Sequence, residues 1–410
     1  MAERTTHSVL PMGGRDPSEE HRTATPLELL FDLTFVIAFG VAADELAHAI
    51  AEHHALEGML GFGFAVFAVS WAWIFYTWFA SAYDTDDWMF RLLTMVQMVG
   101  VLILALGLPD MFKSLVEGDH VDNGVIVLGY IVMRVPMLLQ WWRASRQDPD
   151  RRSAHFAYMG SIVVSQALWV LVVFADLPLG TMFAVVVVLL LIELSGPVIA
   201  ETRLAGTPWH PHHMAERYGL MVIIALGEGL LGTTAALATI ISDGWTLDVA
   251  MLGLAGTALT FGVWWTYFVI PHGHLLAAHR ERSFGWGYGQ IPLFGAVVGI
   301  GAGLHVGAYY LADPGVGRTT TVLAVAVPLA AYVLLLYLLY AQITRTADPF
   351  HLLLIAFSAA VIGASVAMSA AGVNLVWCLL VLALTPWVTV VGYETVGHRH
   401  NERVLDSLNP

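Results

Sequence analysis

Five charged side chains lie within long apolar stretches of this sequence, where ionisable residues are rare. They are Glu28, Asp32, Arg134, Glu193 and Glu228. Such groups are costly at membrane depth, and they usually face a bundle interior or a water-filled cavity, where they pair with one another or carry protons and ions. We therefore take these residues as candidates for the lining of a pathway for a small ion or solute.

Glu28 and Asp32 open the first apolar stretch and, one helical turn apart, share a helix face. The uninterrupted apolar run Leu33–Ala43 has 11 residues. That run is a rod of about 16 Å, against a hydrocarbon core of about 30 Å. One flanking acidic pair, Glu28 with Asp32 or Asp44 with Glu45, must therefore lie at or below the membrane interface. Glu28 also fits a helix cap, because it lies in the first turn after a proline.

Arg134 lies at the centre of the apolar stretch 124–142. An arginine at the bilayer centre costs at least about 2.5–3.5 kcal/mol on insertion scales. A carboxylate partner is therefore expected, and Glu193 and Glu228 are the candidates. Prolines follow Arg134 and Glu193 by two and four residues and would bend both helices. The pair is either part of a binding site near the membrane midplane or an ion pair that locks the bundle.

Glu228 lies in mid-span among small residues, Gly227, Gly229 and Gly232. Small residues let helices approach closely, and they also leave room for water or an ion. The alternative is a helix-packing surface with one hydrogen-bonded acid. The depth of Glu228 favours a functional role.

A second set of candidates lies in or next to the segments that connect the apolar stretches on the predicted inner face. These residues are Asp84, Asp87, Arg91, His213, Glu216 and Arg217. Arg91, one turn after Asp87, could pair with it, and the favoured alternative is that these acids cap a helix start. His213 and Glu216 have an i, i+3 spacing that can hold a metal. No matching motif occurs elsewhere, so we favour a solvated interfacial cap and predict neither a metal nor another cofactor.

Aromatic and histidine residues near these segments have simpler interpretations. Trp71, Trp73, Trp78 and Trp88 fit anchors at the membrane interface. His272 and the histidines that follow it fit solvated loop residues. None of them is included among the candidate site residues.

Composition alone assigns the chain to the membrane proteins. Of 410 residues, 58% are hydrophobic and 12% are charged, and the mean hydropathy is +0.71, whereas soluble domains are typically about 25% charged. We predict an all-α polytopic membrane protein with about 12 transmembrane helices, because a chain in lipid must satisfy its own backbone groups. The lipid bilayer is therefore a partner. No basic patch of the kind that binds nucleic acid occurs, and an oligomer remains compatible with the sequence.

An internal resemblance predicts two parallel six-helix repeats. The segment 33–40 resembles 220–227, and an even number of helices in each half makes both halves run in the same direction. The predicted divisions, in chain order, are an N-terminal tail 1–27, a first half 28–199, a linker 200–215, a second half 216–395 and a C-terminal tail 396–410. Both tails and the linker are predicted to be cytoplasmic.

The distribution of basic residues predicts the orientation in the membrane. With the N-terminus inside, fifteen lysines and arginines fall on the inner side and two, Lys113 and Arg318, fall on the outer side. This bias is the positive-inside pattern of membrane proteins. It predicts a multi-pass protein of the bacterial cytoplasmic membrane with both termini in the cytoplasm.

Three motifs resemble the bacterial low-temperature-requirement protein A family. They are Pro26-Leu-Glu-Leu-Leu-Phe-Asp-Leu-Thr-Phe-Val36, Asp84-Thr-Asp-Asp87 with Arg91, and Glu216-Arg-Tyr-Gly219 with Leu226-Gly-Glu228. The resemblance extends over roughly residues 20–395. It implies a polytopic inner-membrane protein linked by its name to growth in the cold, and it does not specify a molecular activity.

The leading functional hypothesis is transport of a small ion or solute, either proton-coupled or channel-like. It rests on the intramembrane charges, the two predicted halves and the lack of a predicted extramembrane domain. A membrane-embedded enzyme or a lipid- or headgroup-binding protein is the main alternative, based on the inner-face acids and histidines. A structural protein for cold adaptation of the membrane is the third hypothesis.

Overall fold

The computed structural model describes residues 9–19, 22–118, 120–175, 177–241, 244–346 and 348–397, and 85% of it is helix. No strand occurs within these described ranges, so the predicted all-α class is confirmed. The helices are α1 Pro26–Ala51, α2 Ala55–Tyr83, α3 Trp88–Leu106, α4 Leu108–Glu117, α5 Gly124–Gln147, α6 Arg152–Val173, α7 Leu179–Thr202, α8 Pro211–Ile240, α9 Leu247–Phe268, α10 His272–Ala278, α11 Ser283–Ala312, α12 Arg318–Thr344, α13 Pro349–Ala370, α14 Leu375–Ala383 and α15 Thr385–Gly392.

Twelve helical stretches in the described ranges are long and apolar enough to cross a membrane, as the sequence predicts. They have 22 to 33 residues, which corresponds to about 33–50 Å of helix and exceeds the hydrocarbon thickness of about 30 Å. Three of the stretches are interrupted, between α3 and α4, between α9 and α10, and between α14 and α15. Prolines lie at or next to all three interruptions, where they cannot donate a helical hydrogen bond.

The chain forms two compact units. Unit 1 comprises Met1–Val41 and Ala68–Met214, and unit 2 comprises Ala42–Phe67 and Ala215–Pro410. The helices α1 and α2 therefore each contribute one part to unit 1 and the other part to unit 2. The parallel repeat of 28–199 and 216–395 is a statement about internal similarity, and it stays a prediction.

In unit 1, α3 packs on α5, α5 on α6, and α6 on α7. Glycines allow the close approach of α3 to α5. A Cβ on Gly100 would lie 2.7 Å from the carbonyl oxygen of Gly129, and a Cβ on Gly129 would lie 2.6 Å from the amide nitrogen of Leu104. Within a lipid bilayer no hydrophobic driving force brings helices together, so close van der Waals packing at such small residues stabilises the helix pair.

In unit 2, α11 packs on α12 and α12 on α13, while α14 and α15 pack on both α13 and α9. Buried residues extend along almost the whole of α11. A Cβ on Gly303 of α11 would clash with the carbonyl of Ala324 on α12, so these two helices also touch through a small residue. This close pairing supplies a rigid frame for α11, on which part of the candidate site lies.

Candidate functional site

Glu28 closes a capping box at the start of α1. The Thr25 hydroxyl oxygen accepts a hydrogen bond from the Glu28 amide at 3.3 Å, and Glu28 Oε2 accepts one from the Thr25 amide at 2.8 Å. Pro26 occupies the first helical position, where its missing N–H has no consequence. The capping interpretation of Glu28 is therefore confirmed.

The same carboxylate lies within a buried charge cluster of unit 1, formed by Arg22, Glu28, Asp84 and His213 and called the Arg22 cluster below. Glu28 Oε1 lies 3.2 Å from His213 Nε2 and 3.4 Å from Arg22 Nη2. Arg22 Nη2 lies 3.6 Å from Asp84 Oδ2 and donates to the carbonyl of Ala80 at 3.3 Å. One guanidinium is thus shared by two carboxylates.

His213 is fully buried, so the predicted solvated interfacial cap is wrong for this residue. The reason is that α8 begins two residues earlier, at Pro211, and its first turn carries His213 onto Glu28. Of the residues grouped with it in the sequence, Glu216 is exposed and Arg217 is fully buried on α8. The described residues contain no group of three or more histidine, cysteine, aspartate or glutamate side chains arranged to hold a metal.

Asp32 and Glu193 each accept a hydrogen bond from a buried tryptophan of α2. Trp73 Nε1 donates to Asp32 Oδ1 at 2.7 Å, and Trp71 Nε1 donates to Glu193 Oε2 at 2.6 Å. Trp71 and Trp73 are two residues apart, so their side chains point about 200° apart around the axis of α2. The two acids therefore contact opposite faces of this helix. The interfacial role predicted for these two tryptophans is wrong, because both indoles are buried partners of acids.

Arg134 pairs with Glu193, which confirms one of its two predicted partners. Its Nη2 lies 2.9 Å from Glu193 Oε2, the same oxygen that Trp71 contacts. The guanidinium also lies 4.4 Å from the ring centroid of Phe75, a cation–π contact. Arg134 Nη1 is buried without a hydrogen-bond partner in the described part of the chain, but the two charges meet directly, as a structural lock of unit 1 requires.

Asp87 caps α3 and binds Arg143. Asp87 Oδ1 accepts from the Phe90 amide at 2.9 Å, and Arg143 donates to both carboxylate oxygens. Burial opposes the ionisation of Asp87, but the bonds from Arg143 and from the Phe90 and Leu10 amides outweigh burial and hold its pKa below the usual value. The capping interpretation is confirmed.

The predicted pairing of Arg91 with Asp87 is wrong. Arg91 pairs with Asp86 at 2.7 Å on the protein surface. Asp86 has a positive backbone φ angle of 47°, which is unusual for a residue other than glycine. The carboxylate of Asp87 already accepts hydrogen bonds from the Phe90 amide and from Arg143. Arg91 therefore pairs with the neighbouring acid, Asp86.

The N-terminal segment docks onto unit 1. The Leu10 amide donates to Asp87 Oδ2 at 3.0 Å, and the Arg15 amide donates to the carbonyl of Ala82 at 2.9 Å. Met12 is 1% exposed and His210 Nε2 lies 2.8 Å from the carbonyl of Glu19. The described part of the predicted tail 1–27, residues 9–19 and 22–25, is therefore a strap that packs on unit 1 and contains Arg22.

Glu228 has a different environment, in unit 2. It is 1% exposed, and its Oε1 is buried without a hydrogen-bond partner in the described part of the chain. A Cβ on Gly301 of α11 would lie 2.6 Å from Glu228 Cβ. Gly229 and Gly232 serve close packing, as one interpretation predicts, whereas a Cβ on Gly227 would meet nothing within 4 Å. The hydrogen bond which that interpretation assigns to the acid does not occur among the described residues.

A sequence model of the bacterial low temperature requirement A protein, LtrA, matches residues 23–385. The chain belongs to the LtrA family. The matched range contains every candidate site residue of the sequence. A protein of Rhizobium meliloti (strain 1021), described as uncharacterized, is 26% identical over 315 residues, covering 73% of this chain and 71% of the relative.

Several side chains that form buried contacts in this LtrA-family chain were not predicted from the sequence. They are Arg22, Trp71, Trp73, Arg143 and His305. The contact of Asp44 with His305 was also not predicted. A usable signal existed for Arg22, because an arginine a few residues before two buried acids is an available counter-charge. The tryptophans carried no such signal, since their residue type also fits the membrane interface.

The Arg22 cluster makes the stability of the protein depend on pH. Burial raises the pKa of Asp84 to about 6 from 3.8, and the charge of Glu28 adds to this rise while Arg22 opposes it. The folded chain thus holds more protons than the unfolded chain between these values, and stability falls as pH rises through this window.

We expect Asp84→Asn to raise the thermal unfolding midpoint in detergent at pH 7.5, where wild-type Asp84 is ionised, by an amount equivalent to roughly 1–3 kcal/mol. The advantage should shrink at pH 5, because wild-type Asp84 is then largely protonated. The same difference at both pH values would show that Asp84 does not titrate in this window. Other titrating groups are common to both proteins and cancel in the comparison.

Proposed function

We propose that this LtrA-family protein moves a small cation across the membrane and that Glu228 is the carboxyl group that binds it. One observation carries the proposal, namely that Glu228 is a buried acid in mid-span with no hydrogen bond or ion pair among the described residues. The other four intramembrane candidates all have partners: Glu28 and Arg134 are ion-paired, and Asp32 and Glu193 accept hydrogen bonds.

A buried carboxylate without a counter-charge is unfavourable by several kcal/mol in a low-dielectric interior, an order-of-magnitude figure. Glu228 therefore needs a bound proton or metal cation whenever it is enclosed. A group that is neutral when loaded and charged when empty has the property required of a carrier site. Gly232 and Gly301 let α8 and α11 lie close together at Glu228, which limits the site to a small ion.

The acids and arginines of unit 1 take a supporting role in this proposal. Arg134 with Glu193 fixes α5 to α7, and the Arg22 cluster fixes the strap and the start of α1. The enzyme and headgroup-binding alternatives would need free inner-face side chains. Asp87 and His213, two of the residues on which they rest, are engaged by Arg143 and Glu28.

We also propose that the protein lies in the cytoplasmic membrane with both termini inside. The fifteen-to-two distribution of basic residues supports this orientation. Reporter fusions at Lys113 and Arg318 should give the signal of the outer side, and a fusion at Arg151 that of the inner side. A reversed result at any of the three positions would contradict the orientation.

The test of transport is flux in proteoliposomes made from purified full-length protein. Vesicles are loaded with dyes sensitive to protons, Na⁺ or K⁺, and a gradient of each ion is imposed in turn. We expect at least one of these cations to cross faster than in protein-free vesicles and in vesicles with heat-denatured protein. If all three cross at the rate of protein-free vesicles, the proposed function is wrong.

A further inference from the structure

Glu228, His305 and Asp44 all lie in unit 2. We propose that the proton is the ion exchanged at Glu228 and that it passes between this carboxyl and water through the imidazole of His305 and the carboxylate of Asp44. The proposal rests on the proposed transport function and adds the identity of the ion and its route on one side of the membrane.

The inner part of the relay lies at the contact between α8 and α11. Glu228 faces Gly301, and one turn later on both helices Gly232 faces His305. A Cβ on Gly232 would lie 2.6 Å from Cδ2 of His305. The acid and the imidazole thus occupy the same interface one turn apart, an axial rise of about 5.4 Å, and the proposed relay connects them through one bridging water.

The contact with Asp44 fixes the orientation of the His305 imidazole. His305 Nδ1 lies 2.8 Å from Asp44 Oδ1, so the neutral ring carries its proton on Nδ1 and donates it to the carboxylate. Nε2 is left as the acceptor, and it is buried without a hydrogen-bond partner in the part of the chain that the structure describes. Nε2 is bonded to Cδ2, so this acceptor lies on the edge of the ring nearest α8.

Asp44 gives the relay access to water. The side chain of Asp44 is 65% exposed, while that of His305 is 16% exposed. Asp44 follows directly after the apolar run of α1, and a charged, exposed group at that position faces water because exposure to lipid is too unfavourable. Exposure therefore rises in order from Glu228 through His305 to Asp44.

The charged and titratable groups around His305 are few. Asp44 faces it from α1, and Glu228 faces it from α8. Tyr309, one turn later on α11, interacts electrostatically with Asp44 and with two further acids of the same end of α1, Glu45 and Glu52. These acids make the water-facing end of the relay negative, which favours protons and other cations.

Each transfer conserves protons. A protonated Glu228 gives its proton to the bridging water, which passes one of its own protons to Nε2, so Glu228 becomes a carboxylate and His305 an imidazolium. The imidazolium gives its Nδ1 proton to Asp44, which releases it to water, and the ring is left neutral with its proton on Nε2. The reverse sequence loads Glu228 from the same side.

The test uses proteoliposomes that enclose a pH-sensitive dye, with a K⁺ diffusion potential set by valinomycin to drive protons. We expect His305→Gln to slow proton flux by about tenfold or more, since positioned acid–base groups typically contribute at least that much to proton transfer. Asp44→Asn should slow it less, because water can reach the exposed end of the relay. The control, His120→Gln, changes an exposed histidine of unit 1 and should conduct as wild type does.

A second variant guards against loss of folding. His305→Ala removes the ring, and imidazole added to the vesicles should restore part of the proton flux if the ring transfers protons. Unchanged proton flux in His305→Gln and Asp44→Asn, or absence of imidazole rescue in a folded His305→Ala, would overturn the relay. Wild-type flux of Na⁺ or K⁺ without proton flux would also overturn it and leave the proposed transport function standing, whereas no flux of any cation would remove both.

Discussion

Arg134→Met is expected to lower the free energy of unfolding by about 3–5 kcal/mol, the usual consequence of removing one partner of a buried ion pair. In this variant Glu193 stays buried with a full charge, and among the described residues only the Trp71 indole still donates a hydrogen bond to it. The loss should appear as a lower thermal unfolding midpoint in detergent and as a lower yield of monodisperse protein.

The double variant Arg134→Met with Glu193→Gln should recover most of this loss. The glutamine amide has no charge to compensate, and its oxygen can still accept the hydrogen bond from Trp71. Arg146→Met is the matched control, because Arg146 is exposed on the same helix and only stacks at 5.8 Å over Trp142. A double variant as unstable as Arg134→Met would show that the charge pair is not what stabilises this part of unit 1.

Glu228→Gln should reduce cation flux to the level of protein-free vesicles while leaving the fold intact. Glutamine has the shape of glutamate, so the contact with Gly301 is preserved, but its amide takes up no proton at neutral pH and offers a metal cation no negative charge. Because Glu228 forms no ion pair among the described residues, its neutralisation should leave the unfolding midpoint unchanged or raise it.

Two further variants make this result interpretable. Glu117→Gln neutralises an exposed glutamate at the end of α4 and should conduct as wild type does. Glu228→Asp keeps the charge on a shorter side chain, and part of the flux should survive. Wild-type flux from a folded Glu228→Gln protein would exclude Glu228 from ion binding and leave only its packing role.

The sequence by itself determined the class of fold and the local features. A chain this apolar must satisfy its backbone groups within helices, which is why the count of twelve spans is confirmed. The cap formed by Glu28 follows from Thr25 and Pro26 just before it, and the pairing of Arg134 follows from the energetic need of a buried arginine for a carboxylate. Each of these results depends on local spacing or on a large energy.

Only the tertiary structure decided which distant side chains meet. His213 reaches Glu28 across 185 positions, and Trp71 reaches Glu193 across 122. The physical reason is that these helices are apolar on nearly every face, so hydrophobic pattern does not fix their rotation about the helix axis. The rotation is set by close contacts of small residues, such as Gly301 against Glu228, and those contacts exist only once the helices have packed.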